Sequence, residues 1–302
     1  MSVLQIVWFN RDLRVCDHEA LSRAAAQGPV LPLYIVEPGL WRQPDASGRH
    51  WGFLREGLAS LRKELADLGQ PLVVRHGDAV EVLRELTERH PVSSVWSHQE
   101  TGNAWTFGRD RAVGAMLRER AIPWHEVRQH GVVRGRTDRD RWSQQWERLM
   151  AAPLFATPQL PPLTGVDTGV LPDWPTEGLP RDDCPGRQTA GRAFAEQALH
   201  SFLQTRGERY HLEMSSPLTA ANSCSRLSAH LAYGSLSIRE LVQATRRRRA
   251  QACQGQCDRS TTWKRALASF EGRLHWHCHF IQKFENEARM EFENLQRATD
   301  GL

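Results

Sequence analysis

Val3-Leu4-Gln5-Ile6-Val7-Trp8-Phe9 runs directly into Asn10-Arg11-Asp12-Leu13-Arg14. The first seven residues, apolar at all but one position, read as a strand covered on both faces. The polar stretch after them reads as the loop at its C-terminal end. Four further apolar runs follow at Val30–Val36, Leu72–Arg75, Val92–Trp96 and Trp124–Val127. Helix-like segments lie near His18–Ala26, Trp51–Leu68, Ala79–Arg89 and Arg109–Arg120. Strands alternating with amphipathic helices predict a Rossmann-like α/β domain with a five-stranded parallel sheet and right-handed crossovers. No Gly-x-Gly-x-x-Gly follows the first strand, so the fold arrives without a dinucleotide fingerprint. Ligands of such sheets sit beyond the strand C-termini, which makes Asn10–Asp17 and Ser97–Asn103 the expected rim.

The 302 residues allow about two domains. No apolar run approaches membrane-spanning length, and the N-terminus reads as a strand and not as a signal peptide. The six cysteines are scattered without a framework pattern, as suits a reducing cytoplasm. The net charge of +4 is carried almost wholly by arginine, since only Lys63, Lys264 and Lys283 are lysine. Arginine favours phosphate and planar contacts, so the composition permits a nucleic-acid partner without requiring one.

Between Pro153 and Pro185 fall eight of the sixteen prolines, the mark of an extended linker. From Thr189 on, strand signals vanish. Helices are expected at Ala193–Thr205, Ile238–Gln251 and Thr262–Phe292, giving an all-helical second unit. The expected division is 1–130 for the α/β domain, 131–188 for the linker and 189–302 for the helical unit. The stretch Asn222–Leu241 packs small hydroxyl residues onto the first turn of a segment with Leu227 and Leu231, where hydroxyls and free amides could meet an anion. Gly234 is placed to end one short helix. Ser237-x-x-Glu240 forms a capping box for the next, with Leu236 and Leu241 as its hydrophobic staple. An ordinary pair of capped helices accounts for the same spacing. In the last segment Trp263, Leu267, Phe270, Leu274, Cys278 and Ile281 make one apolar face, while Arg273, Trp276, His277 and Phe280 make another. Arg246–Arg249 reads either as a solvated face or as a contact to DNA phosphates. Cys253 and Cys257 read as incidental thiols. His275 and His279 stand at i and i+4 but lack the intervening Glu and further ligands, so no metal is expected.

Two motifs resemble the photolyase/cryptochrome family. Val7-Trp8-Phe9-Asn10-Arg11-Asp12-Leu13-Arg14, with Asp17 and Ala20-Leu21, is similar to the family's opening Trp-Phe-Arg-x-Asp-Leu-Arg, with Asn10 in place of an arginine. Ser225-Arg226-Leu227-Ser228-x-x-Leu231-x-x-Gly234-x-Leu236-Ser237-x-Arg239 resembles its flavin-phosphate motif, with Cys224 in place of a threonine. The resemblance implies an FAD-binding helical domain in which Tyr210, Cys224, Ser225, Arg226, Leu227, Ser228, Phe270 and His277 contact the cofactor. It implies that Arg273, Trp276, His277 and Phe280 face DNA carrying pyrimidine dimers. It also implies an antenna chromophore in the α/β domain, a folate or a deazaflavin, near Glu100. In the family, reduced FAD excited by blue light donates an electron that splits the dimer. No catalytic residue is assigned within this chain.

Arg273 stands where the family has a carboxylate, and His277 where it has an arginine. These departures keep a cryptochrome-like photoreceptor without repair activity open as an alternative. The family pattern continues well past the position of Leu302, so the chain is expected to be C-terminally truncated, with an incomplete helical domain. A remnant folding only its α/β domain is the third reading. A cytoplasmic monomer is expected.

Overall fold

A computed structural model of the chain describes residues 3–135, 138–253 and 258–301. Cys257 and Leu302 lie outside them. Strands β1 (Leu4–Phe9), β2 (Val30–Val36), β3 (Val73–His76), β4 (Val92–His98) and β5 (Trp124–Val127) form one parallel sheet in the order β3-β2-β1-β4-β5. Helices α1 (Glu19–Ala25), α2 (Pro38–Trp41), α3 (Gly48–Asp67), α4 (Ala79–Arg89) and α5 (Ala104–Glu119) connect and cover it. The period-two alternation of the strands divides the core into two layers. Leu4, Ile6, Trp8, Leu31, Leu33 and Ile35 pack with Val82, Leu83, Val113 and Met116 of α4 and α5. Val7, Phe9, Val30, Tyr34 and Val36 pack with Leu21 of α1 and Leu54, Leu58 and Leu61 of α3. The five expected strands are all present. Helix α5 begins earlier than expected because Asn103 caps it, accepting the Thr106 N–H at 3.1 Å.

The segment expected to be linker does two separate things. Its first part forms helix α6 (Arg139–Ala151), whose Trp142, Trp146 and Met150 are buried in the core of the helical unit. The composition shifts to proline only after this helix, and its many charged residues mask the three apolar positions. The proline-rich part lies along the sheet edge. The Val74 N–H of edge strand β3 donates to the Thr168 carbonyl at 2.8 Å, and Arg62 binds the carbonyls of Thr168 and Gly169. A covered edge is protected from pairing with another chain.

Helices α7 (Arg192–Gln204), α8 (Tyr210–Glu213), α9 (Ala220–Ser223), α10 (Ser228–Ala232), α11 (Ile238–Cys253) and α12 (Asp258–Asn286) build the second unit. Its core holds Phe202, Tyr210, Leu227, Leu236, Leu241, Trp263, Leu267, Phe270 and Leu274 together with α6. The capping box of α11 forms as expected. The Glu240 N–H donates to Ser237 Oγ at 3.0 Å, and the Ser237 N–H donates to the Glu240 carboxylate at 2.8 Å. Leu236 and Leu241 are both buried beside it.

The two units are joined by a buried polar junction between the β1 loop and the turn Tyr233–Arg239. The Asp17 carboxylate accepts from Ser237 Oγ at 2.6 Å, from Arg239 Nε at 3.0 Å and from the Phe155 N–H at 3.0 Å, and also pairs with Arg239 Nη2. Asp17 itself sits at a positive φ of 50°, a conformation Asp tolerates better than most residues. Arg14 is 1% exposed and donates to the carbonyls of Asp17 and Gly234. The Leu13 N–H donates to the Tyr233 carbonyl at 3.0 Å. Gly234 has φ +69°, and a Cβ there would overlap the Arg11 carbonyl oxygen and Asp12 Cα. Glycine is therefore needed twice, for the helix stop and for the close approach of the loop. A second set of contacts lies further along α12, where Gln282 exchanges hydrogen bonds with the Val133 backbone in both directions.

Behind the β1 loop, Asp12 accepts from the Asn10 N–H at 2.7 Å and faces His98 Nδ1 at 2.7 Å and His18 Nε2 at 2.9 Å. Among the described residues these three are the one group with metal-ligand spacing. His18 Nδ1 accepts the Leu21 N–H as the cap of α1, which leaves its proton on Nε2, the atom facing Asp12. A protonated nitrogen cannot ligate, so the cluster acts as a buried brace for the loop.

Removing one partner of a buried charge pair leaves the other uncompensated, at a cost of about 3–5 kcal/mol. Arg239→Ala is therefore expected to lower the urea midpoint by the equivalent of about 3–5 kcal/mol; a loss below about 1 kcal/mol, the range of surface pairs, would contradict the buried junction. Burial also holds His98 and His130 near a pKa of about 3, below the ordinary value of 6.5. Between those values the unfolded chain binds more protons, so stability falls as pH is lowered, by up to about 1.4 kcal/mol per unit for each group. Glu37, raised by burial to about 7, works in the opposite sense between 4.5 and 7, as a single group against two. The urea midpoint is expected to fall from pH 6.5 to pH 4; a midpoint that holds steady or rises would contradict neutral buried imidazoles.

Candidate functional site

The loop from Cys224 to Ser228 owes its shape to a residue that sequence reasoning missed. The Arg206 guanidinium donates to the carbonyls of Ala198 at 3.1 Å, Ser225 at 3.2 Å and Asn222 at 3.5 Å, and also to that of Cys224. Gln188 Nε2 donates to the Arg226 carbonyl at 2.6 Å. With its carbonyls drawn away, the loop turns its amides outward. Among the described residues, the N–H groups of Ser225, Arg226 and Leu227 donate to no protein acceptor. Arg226 has φ +61° and Leu227 follows at φ −96°, ψ −4°. Successive residues of opposite hand point neighbouring amides into one concavity, the arrangement that binds anions. No pattern marked Arg206 in a chain so rich in arginine; only the fold shows which carbonyls it collects.

Beside the loop, Tyr210 is buried and packs edge-on against Phe202 at 5.4 Å and Phe270 at 5.7 Å. Burial raises its pKa; the Cys224 thiol adds to this and the Arg273 guanidinium opposes it. Tyr210, Cys224, Phe270 and Arg273 thus converge, with Phe270 only 3% exposed and serving the core. Arg226 and Ser228 lie at the far end of the loop. Their side chains line a surface groove of about 560 Å³ shared with Arg49, Arg187 and Tyr233.

The residues of α12 separate by face. Trp276 and Phe280 are 49% and 57% exposed, with ring centroids 6.0 Å apart. The Arg273 guanidinium lies 4.4 Å from the Trp276 ring centroid. Trp142, Ser143, His275 and His279 complete a pocket of about 250 Å³ beside them. His275 and His279 pack on the Trp142 ring and serve that aromatic wall. His277 turns the other way, towards the α/β domain. It meets His130 edge-on at 6.4 Å, with burial lowering the pKa of both. The structure therefore separates His277 from the loop residues with which it was grouped.

Glu100 lies at the end of β4 and is 5% exposed at its side chain. One oxygen accepts from Arg109 Nη2 at 2.7 Å, and the other faces Arg11 Nε at 3.3 Å. Arg109 also binds Glu37 at 2.8 Å and Asp110 at 2.7 Å.

Comparison with known proteins agrees with this geometry. The DNA photolyase family profile matches residues 5–141. The deoxyribodipyrimidine photo-lyase of Halobacterium salinarum is 27% identical over 318 residues, covering 97% of this chain and 64% of that protein. A cryptochrome DASH of Gloeobacter violaceus is 31% identical over 270 residues, covering 78% of this chain and 51% of that protein. A bacterial class III photolyase from Agrobacterium tumefaciens superposes over 100% of this chain and 63% of its own, with a TM-score of 0.77 at 20% identity. An archaeal photolyase from Sulfolobus tokodaii, solved with two FAD molecules, gives a TM-score of 0.71 at 18% identity. The chain thus spans between half and two-thirds of the length of these relatives. With its sheet order, its β1 loop motif and its Ser225–Arg239 motif all accounted for, the chain belongs to the photolyase/cryptochrome family.

Proposed function

We propose that the chain is a blue-light-dependent, photolyase-like flavoprotein of the cytoplasm acting on DNA with pyrimidine dimers, and that its helical unit holds FAD. The observation that carries this reading is the amide concavity of Ser225–Leu227, with its carbonyls held back by Arg206. A loop of this kind fits a diphosphate: its amides supply hydrogen bonds in a fixed direction, and Ser225 and Ser228 add hydroxyls. Tyr210 and Cys224 would flank the cofactor, with the Cys224 thiol a weaker donor than a hydroxyl. Reduced FAD, when bound, supplies the light-excited electron, while the protein contributes orientation and electrostatics. The remaining work falls to α12, whose exposed Trp276 and Phe280 offer aromatic faces to an unstacked base.

One observation favours a photoreceptor without repair activity. The Arg273 guanidinium covers the Trp276 ring, so a base stacking on that face would have to displace it. No carboxylate stands at that position to accept a hydrogen bond from a lesion.

A negative charge aimed at the diphosphate opposes binding by several kcal/mol, so Ser228→Asp is expected to weaken FAD binding by about a hundredfold or more. Titration of the flavin-stripped chain with FAD measures this, and an unchanged affinity would count against the loop as the site. Stacking is worth about 1–3 kcal/mol per base, so Trp276→Ala is expected to weaken binding of a dimer-containing oligonucleotide by about tenfold. Blue-light repair of that oligonucleotide by the FAD-loaded protein distinguishes the readings: repair is the expected result, and photoreduction without repair would favour the photoreceptor.

A further inference from the structure

The family resemblance places an antenna chromophore at the strand ends of the α/β domain, and the structure allows that expectation to be tested against the space present. The cavity there measures about 50 Å³ and is lined by Tyr34, Glu37, Leu40, Trp41, Glu100 and Tyr233, among others. A water molecule takes about 30 Å³ of liquid, whereas ligand-sized pockets run to about 300–1,000 Å³. The cavity has room for water and not for a fused-ring chromophore.

The chain's own side chains fill the rest. Trp41 is 5% exposed and packs edge-on against Trp51 at 5.1 Å. Tyr34 is 5% exposed, and Leu40 is half-buried at the rim. The polar groups are committed as well, since both oxygens of Glu100 face guanidiniums of Arg109 and Arg11. Among the described residues, Glu37 Oε1 and the Trp41 indole N–H line this cavity buried and without a protein partner, an acceptor and a donor that water in the small space can satisfy. The wider groove beyond Tyr233 does not replace the pocket: it is a surface feature whose Arg49 and Arg187 are already paired with Asp182 and Glu56.

We infer that this chain carries no antenna chromophore, its strand-end pocket being closed by Trp41, Tyr34 and Leu40 and holding water on Glu37. The inference deepens the flavoprotein reading and rests on it in one respect, that FAD is then the sole light absorber.

The test incubates the full FAD-loaded chain with 8-hydroxy-5-deazariboflavin, or with 5,10-methenyltetrahydrofolate, and then gel-filters it. Neither is expected to co-elute with wild-type protein, and stoichiometric co-elution of either overturns the inference. Leu40→Ala and Trp41→Leu open the cavity and are expected to gain one equivalent of the deazaflavin. Leu40→Ala trims a half-buried side chain and leaves the Trp41–Trp51 contact in place, so it retains the fold even if Trp41→Leu does not. Rejection of the deazaflavin by folded Leu40→Ala and Trp41→Leu proteins alike would show that these side chains are not what excludes it, and would also overturn the inference. FAD is quantified separately after extraction: a chain that never holds FAD defeats the flavoprotein reading without altering the antenna result.

Discussion

The Asp17 carboxylate is the constraint on which the two-unit structure depends. It is 2% exposed and receives hydrogen bonds from a serine, an arginine and a backbone amide, which reach it from the α11 turn and from the segment after α6. Burial alone would push its pKa up; Arg239 and Ser237 bring it below the ordinary carboxylate value, so it is charged at neutral pH. Ser237 serves at once as the cap of α11 and as a donor to Asp17. The helix cannot start elsewhere without losing the junction. Upstream of the same turn runs α10, and before it the Ser225–Ser228 loop. Docking of the β1 loop on one end of this segment and the grip of Arg206 on the other hold the candidate phosphate site between them.

Several of the arginines that carry the net charge of +4 are engaged within the fold. Arg14 and Arg206 are used on backbone carbonyls, and Arg109, Arg192 and Arg239 on buried or half-buried carboxylates. Within the Arg246–Arg249 run, Arg246 and Arg249 share Glu271, and Arg248 lies over the Trp263 ring at 4.7 Å. Three of these four residues are thus committed within the fold, and the run does not amount to a free basic strip. Any affinity for nucleic acid would draw on the aromatic surface of α12 more than on phosphate contacts.

Much of the fold was legible because buried parallel strands are continuous apolar runs, and all five could be placed within a residue or two. The capping box at Ser237 and the stop at Gly234 were legible for the same reason: they are local. Helix α6 was not, since its three core positions are spaced among arginines, glutamines and a glutamate. At the site, the loop motif was visible in sequence, but its mechanism was not. Arg206, Gln188 and the positive φ of Arg226 act through tertiary geometry, which no spacing encodes. The second use of Gly234 belongs to the same class, as does the work of the β1-loop motif residues, with Arg14 and Asp17 forming the junction and Asp12 bracing the loop behind it. Glu100 illustrates the limit from the other side. Its position at a strand end marks a place where ligands gather, yet its two oxygens are occupied by arginines of the chain itself.

The most direct measurement of the central claim is hydrogen exchange on the wild-type chain and on Asp17→Asn. If the junction joins the units, amides of the β1 loop and of the Tyr233–Leu241 segment lose protection together in the variant, while the strand amides of β1 and β2 stay protected. Loss of protection in one of the two segments with the other unchanged would show that they are held independently, and would contradict the account.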